Sequence, residues 1–388
     1  MAQEKSRLLV VDDDLMNRKT LTLYLQKEGY LVDTAENGQQ ALDRLRAASR
    51  PQGPQVFDLI LLDLVMPGMD GIAVLERIRA NTQWRQIPVI MVSAVEETKS
   101  MVRCIQLGAE DYFFKPFDPI LLRARIGACL DRRAFYRTLL ETQERLTHEL
   151  TQAAAYVRSL LPDSLTSGPV KADWRFLPSA QLGGDGFGYH WLDADRLALY
   201  LLDVSGHGVG AALLSVSVIN ILRGQSLRRT DFSQPSQVMA RLNETLQMHE
   251  SSEMFFTAWY GVYQQSNRSL TFSSAGHHPA ILVPPERGTS CAVGTSGFPV
   301  GVVGGAAYDA ETVNVPKGSH LYLFSDGTFE FLTKEGRFWT FEELRSFLVQ
   351  PLDPARSEPE RIEHVIRGLA EGECFRDDFS LLVFNFDE

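Results

Sequence analysis

Eight aspartates of this sequence sit beside the ends of predicted strands, and their company suggests phosphoryl chemistry. Asp12, Asp13 and Asp63 fall in the first third, with Ser93 and Lys115 closing two later strands of the same pattern. In an open α/β sheet, ligands bind outside the carboxyl ends of the strands. Three carboxylates converging there repel one another unless a cation sits among them, and Mg²⁺ takes such oxygen ligands while keeping several waters. A lysine opposite the ion then suits a phosphoryl group carried on one carboxylate. A strand-end aspartate taken singly is an ordinary helix cap; five positions together are not explained that way.

The remaining aspartates lie in "GGDGF" (Asp185), "DVSGHG" (Asp203), "FSDG" (Asp326) and "RDDFS" (Asp377, Asp378). Each D-G alone is a turn signal. Together they form a donor set without Cys or His, which favours Mg²⁺ or Mn²⁺ over zinc. Two such ions can activate a water and clamp a phosphoryl group for in-line attack. In "LYLLDVSGHGVGAALLSVSV", Gly206 and Gly208 allow a tight turn after Asp203, and Ala211 and Ala212 allow a helix to pack close behind it. His207 is either a general acid or a brace for the turn. His277 and His278, in "AGHHP", read as scaffolding.

The elements that must position these residues follow from hydrophobic periodicity. Residues 7 to about 132 alternate five apolar strand runs with five helical ones, which predicts a doubly wound parallel sheet. "SRPQGPQ" reads as a polar loop before the third strand. From Cys129 to Leu160 the strands stop. Cys129, Tyr136, Leu150 and Val157, with Leu139, Leu146, Ala153 and Leu160, step by three and four, an a/d heptad seam interrupted by Arg132 and Gln143 and halted by Pro162. This predicts a coiled-coil linker over 129–165 that pairs two copies of the chain, with Cys129 able to cross-link them. From about 171 onward, hairpins mixed with separate helices predict an α+β sandwich, helices covering two packed antiparallel sheets. "FFTAWYGVYQQSNRSLTFSSAGHHPAILV" reads as two strands about a turn, and "PSQVMARLNETLQMH" as a helix.

Composition narrows the class. The chain has 388 residues, 44% of them hydrophobic and 22% charged, with a formal net charge of -11. That balance argues against nucleic acid as a partner, since binding it needs a basic patch. Four scattered cysteines without a C-x-x-C pair fit reduced thiols, and neither an apolar membrane span nor a signal-peptide core is present, so a cytoplasmic protein is expected.

"LLVVDDD", "DLILLDLVMPGMDG", "VSA" and "GAEDYFFKPF" resemble the response-regulator receiver domain, over residues 5–128. The resemblance implies that Asp63 accepts phosphoryl from a sensor histidine kinase. It also implies that Asp12, Asp13 and Asp63 hold Mg²⁺ with the Val65 carbonyl, that Ser93 and Lys115 contact the phosphoryl oxygens, and that Tyr112 is the switch aromatic. "LGGDGFGYHW", "LLDVSGHGVGAAL", "FTAWYGVY", "SSAGHHPAIL", "GFPVG", "LFSDGTFEF" and "DDFSLLVF" resemble the metal-dependent PPM-type phosphatases, within a domain at 171–388. More narrowly they resemble the sporulation stage-two-E class that acts in partner-switching control of sigma factors. That resemblance implies Asp203 bridging two Mn²⁺ or Mg²⁺ ions, Val204 giving a carbonyl, and Asp185, Asp326 and the Asp377/Asp378 pair completing the set, with Asp377 favoured. Asp203 and Asp326 are the expected catalytic centre. Where many members carry a second aspartate after G-G-D, this chain has Gly186, Phe187 and Gly188. The implied substrate is a phosphorylated STAS-type anti-sigma factor antagonist; the rival readings are a non-enzymatic adaptor and a phosphatase of small phosphoesters.

Overall fold

The computed structural model describes residues 5–50, 56–94, 98–116, 118–179, 182–246, 254–372 and 377–387. Residues 51–55 of the predicted loop, Phe117, positions 247–249 of the predicted helix and Cys374 lie outside them. The chain divides into two units, Met1–Leu146 and Thr147–Glu388.

The first unit alternates β1 (Arg7–Val11), α1 (Leu15–Lys27), β2 (Leu31–Ala35), α2 (Gly38–Ala48), β3 (Leu59–Asp63), α3 (Gly71–Ala80), β4 (Val89–Ser93), α4 (Thr98–Gln106) and β5 (Asp111–Phe114), and then enters α5 (Pro119–Ser159). The strands pair in parallel in the order β2-β1-β3-β4-β5, the doubly wound sheet expected. Every residue of β3 and β4 is buried, as it must be when helices cover both faces of a parallel sheet. The helix caps settle what the strand-end aspartates are not doing. Asp14 caps α1, accepting from the Asn17 N–H, and Asp70 caps α3, accepting from the Ala73 N–H, both at 2.8 Å. Asp12, Asp13 and Asp63 are therefore not the caps of these helices.

α5 runs unbroken for 41 residues. Its first turns complete the first unit's core. Leu122 and Ile126 are fully buried, and Cys129 is 5% exposed against the same cluster. This corrects the expected Cys129 cross-link: the three-and-four spacing at the helix start serves packing on the sheet, so the thiol faces inward. Farther along, Tyr136, Leu139 and Leu146 are exposed.

The second unit contains β6 (Lys171–Leu177), β7 (Gly186–Trp191), β8 (Arg196–Val204), α6 (Val209–Arg223), α7 (Pro235–Thr245), β9 (Phe256–Gln264), β10 (Ser269–Ala275), β11 (Ala280–Val283), β12 (Cys291–Val293), β13 (Glu311–Asn314), β14 (Ser319–Phe324), α8 (Phe341–Leu348), α9 (Glu358–Leu369) and β15 (Phe379–Phe386). Two antiparallel sheets form, ordered β13-β10-β9-β8-β7 and β12-β11-β14-β15-β6. The period of two explains the layers. Leu197, Leu199 and Leu201 of β8 join the core between the sheets, while Ala198, Tyr200 and Leu202 face the α6 and α7 side. α8 and α9 pack through Leu344, Leu348, Ile362 and Ile366 on the other sheet. One expectation needs correcting here. The predicted second strand of the 255–283 hairpin is two strands, because Gly276 takes a positive φ of 70° and the chain passes from one sheet to the other before β11.

Candidate functional site

In the first unit, Asp12 directly follows β1 and Asp63 ends β3, both buried, with Asp13 exposed beside them. One carboxylate oxygen from each of the three lies within 4.8 Å of the others. Lys115, one residue past β5, donates from Nζ to Asp12 Oδ2 at 2.7 Å and to Asp63 Oδ2 at 2.5 Å. Burial pushes the Asp63 carboxyl up, with Lys115 pulling against it and Asp12 adding to it. Burial works against the Lys115 charge, yet the bonds to Asp12 and Asp63 outweigh it and raise its pKa. The Val65 N–H donates to Asp63 Oδ1 at 3.3 Å. Ser93 is fully buried at the end of β4. Tyr112 packs inward, edge-to-face on Phe114 with ring centres 5.2 Å apart.

The second site is built from ends of strands in both sheets. Asp203 ends the run of apolar residues in β8. Asp326 follows β14 in a single 3₁₀ turn, and Asp377 precedes β15. These three border a pocket of about 320 Å³ together with Ser179, Val204, Ser205, Gly206, His207, Phe255 and Thr257. Among the described residues no lysine or arginine lines it. Asp185 sits buried behind the pocket, accepting from Ser380 Oγ at 2.5 Å. Burial raises the Asp203 carboxyl to about 7, with Asp326 and Asp377 adding to the shift, and raises Asp326 to about 6, with Asp377 adding. Asp185 is pushed well up by burial and by Asp203. Among the described residues these carboxylates do not contract into a three-ligand group of the kind seen in the first unit. A wider spacing of hard oxygen donors fits two divalent ions a few ångströms apart better than one.

The two aspartates of "RDDFS" part ways. Asp377 is exposed to the pocket. Asp378 is buried and turned toward the G-G-D turn: its Oδ1 accepts from Ser179 N at 2.8 Å and Ser179 Oγ at 3.0 Å, and its Oδ2 from Gly184 N at 2.6 Å. Gly183 is required by this approach, since a Cβ there would stand 2.3 Å from Asp378 Oδ2. Gly206 and Gly208 hold φ values of 88° and 93°, so the turn after Asp203 uses the left-handed region that favours glycine. Ala211 and Ala212 of α6 are buried, as their size suggested. His207 is exposed at the pocket rim. His277 is buried, with Nδ1 2.9 Å from Thr257 Oγ1 and Nε2 3.2 Å from the Phe324 carbonyl. His278 stacks on Phe324 with ring centres 4.7 Å apart, and burial lowers its pKa to about 4.

Sequence reasoning passed over Ser179, Ser205, Thr257 and Ser380. The signal available was slight: Thr257 is the one aliphatic hydroxyl in a largely apolar strand, and Ser380 follows the last aspartate pair.

Comparison with known proteins fits both halves. Residues 193–387 match the family described as Stage II sporulation protein E (SpoIIE), and residues 8–127 match the response regulator receiver domain. The N-terminal part is 40% identical over 128 residues to the transcriptional regulatory protein ResD of Bacillus subtilis, covering 33% of this chain and 49% of that protein. It is 41% identical over 128 residues to the DNA-binding response regulator MtrA of Mycolicibacterium paratuberculosis, covering 33% and 52%. The chain thus spans about half the length of the curated relatives it matches. In fold, the SiaA-PP2C domain of Pseudomonas aeruginosa superposes with a TM-score of 0.56 at 20% identity, covering 63% of this chain and 99% of that one.

Proposed function

The chain belongs to the Stage II sporulation protein E family and carries a receiver domain ahead of the matched region, and from that premise we propose that it is a response regulator whose output is metal-dependent dephosphorylation of a phosphoserine or phosphothreonine protein. The observation that carries the reading is the pocket itself: Asp203, Asp326 and Asp377, from three separate chain segments, border one cavity with no lysine or arginine among its described lining residues. Burial first, and then mutual repulsion, raises the Asp203 and Asp326 carboxyls, and both costs are what a bound divalent cation relieves.

Asp185, Asp203, Asp326, Asp377 and the Val204 carbonyl would hold two Mn²⁺ or Mg²⁺ ions. The Val204 carbonyl oxygen faces the G-G-D turn, within 2.7 Å of where a Gly184 Cβ would stand. When bound, the ions would lower the pKa of water and neutralise phosphoryl charge. Asp203, ending a β8 with all but two of its nine residues buried, keeps its carboxylate fixed at the pocket floor. Asp378 serves by holding the G-G-D turn through its backbone N–H groups.

In the receiver, Asp63 would be the phosphoacceptor for a sensor histidine kinase. Asp12, Asp13 and the Val65 carbonyl would hold Mg²⁺, with Ser93 and Lys115 on the phosphoryl oxygens and Tyr112 as the switch aromatic. Lys115, already bonded to Asp63, supplies the charge for such a group. The exposed Tyr136, Leu139 and Leu146 of α5 support pairing of two chains through a helical linker ending near residue 165. The substrate we favour is a phosphorylated STAS-type anti-sigma factor antagonist. No helix among the described residues is long and apolar enough to cross a membrane.

Mn²⁺-dependent hydrolysis of an aryl phosphate by the full chain tests the reading. Absence of turnover with either metal would turn it into the adaptor alternative. A phosphorylated STAS protein as substrate then separates a protein phosphatase from one acting on small esters.

A further inference from the structure

Three hydroxyls, those of Ser179, Ser205 and Thr257, line the second pocket, and each has one of its hydrogen-bonding roles already fixed by a partner. Ser179 Oγ lies 3.0 Å from Asp378 Oδ1, a carboxylate oxygen that also takes the Ser179 N–H. A carboxylate accepts, so the Ser179 proton is committed to it. Thr257 Oγ1 lies 2.9 Å from His277 Nδ1. The other ring nitrogen, Nε2, is 3.2 Å from the Phe324 carbonyl, which can only accept. Nε2 therefore carries the proton, and in the neutral ring Nδ1 is an acceptor. Full burial, with His278 beside it, keeps His277 neutral. The Thr257 proton is thus committed to Nδ1. Ser205 is the reverse. Its Oγ accepts the Phe255 N–H at 3.1 Å, while its own N–H donates to the Phe255 carbonyl at 2.9 Å. Among the described residues its hydroxyl proton has no acceptor, which leaves it for the pocket.

Resting on the phosphatase reading above, we propose that these hydroxyls divide the pocket by polarity. Ser179 and Thr257 present only lone pairs and accept from the waters of the bound cations, whereas Ser205 donates to a phosphoryl oxygen of the substrate. His277 is then a positioning residue, setting the direction of the Thr257 hydroxyl from beneath. Without such a partner a threonine rotates its proton freely and serves either role. The described lining residues include no lysine or arginine to meet the phosphoryl group, so a neutral donor just past β8, two residues from Asp203, has a clear use. Ser205 is held there by two bonds to β9's neighbour Phe255, which fix its position without consuming its proton.

The test measures two ligands on the full chain: Mn²⁺ by calorimetry, and inorganic phosphate by its inhibition of aryl phosphate hydrolysis. Thr257→Val is expected to weaken Mn²⁺ binding about tenfold, the worth of one buried hydrogen bond, with Thr257→Ser restoring it. Ser205→Ala is expected to raise KM and the phosphate inhibition constant by about tenfold while Mn²⁺ affinity stays within about twofold. Ser179→Ala should follow Thr257→Val, and it carries the cation arm if Thr257→Val does not fold. If the variants weaken both ligands alike, or neither, the polarity assignment is overturned. A wild-type chain that binds no Mn²⁺ and hydrolyses no ester would overturn the phosphatase reading itself, and a wild type that does both while its variants show no split sinks this inference alone.

Discussion

The two acidic pockets of this chain solve the same electrostatic problem differently. In the N-terminal unit, Asp12 and Asp63 share an internal cation, Lys115, at hydrogen-bond distance from both. In the C-terminal unit, Asp203, Asp326 and Asp377 border a cavity with no lysine or arginine among its described lining residues. The carboxyl of Asp63 is raised by burial against the pull of Lys115. That of Asp203 is raised by burial and by further aspartates, to about 7. A pocket with a built-in positive charge suits a carboxylate that becomes phosphorylated, because the lysine stays to meet the phosphoryl group. A pocket without one would need cations from solution to offset the charge of its carboxylates.

The largest effect that would break this contrast is catalytic. Asp203→Ala or Asp326→Ala is expected to lower Mn²⁺-dependent aryl phosphate turnover by about a thousandfold or more, since the ligands that activate a water contribute several kcal/mol. Wild-type turnover in either variant would show that the second pocket is not the reaction centre. Next in size is coupling. Beryllofluoride, which mimics an aspartyl phosphate, is expected to raise the phosphatase rate by about tenfold, and Asp63→Ala should abolish that response. A rate indifferent to beryllofluoride would leave the receiver as a docking module. The long α5 is the element available to carry such a change.

A third expectation concerns the helix itself. Light scattering should report a dimer at micromolar concentration, and the double substitution Leu139→Glu with Leu146→Glu should give a monomer with both units folded. Monomeric wild type would refute pairing through α5. Smaller still is the effect of a methyl group at the G-G-D turn. Gly183→Ala places a Cβ against the Asp378 carboxylate and is expected to cost about 1–3 kcal/mol of stability, read in the chemical unfolding of the C-terminal unit.

The smallest effect sharpens the electrostatic comparison directly. Asp203 and Asp326 have folded-state pKa values of about 7 and about 6, above the 3.8 of a free aspartate. The folded, metal-free form therefore binds protons more tightly than the unfolded form, and these groups' contribution to stability fades as pH rises through that range. In chelator, the melting temperature of the wild type is expected to fall between about pH 5 and pH 8, and Asp203→Asn should flatten part of that fall. Saturating Mn²⁺, which favours the ionised carboxylates, should reverse the slope. An identical pH profile for wild type and variant would remove the repulsion argument.

Much of this protein is written locally. Alternating apolar runs determined the parallel sheet of the first unit, because burial on both faces leaves no polar period. The glycines at 206 and 208 announced the turn after Asp203, because positive φ is a property of a single residue. The unbroken α5 was legible in its three-and-four spacing, with Pro162 as its stop.

What the sequence could not determine depends on which distant group arrives alongside. Asp377 and Asp378 are chemically identical neighbours; one opens to the pocket and the other is captured by Ser179 and Gly184, nearly two hundred residues away in the chain. Cys129 fits the heptad spacing, yet the packing of α5 on the first unit's core buries it. The strand after Gly276 continues the apolar run but belongs to the other sheet, which only the packing of two sheets defines. Thr257 gains a fixed hydroxyl direction from His277, and His277 gains its protonated nitrogen from Phe324 on yet another strand. Residue type sets what a group can donate or accept, whereas the partner that uses up one of those roles is supplied by tertiary contact.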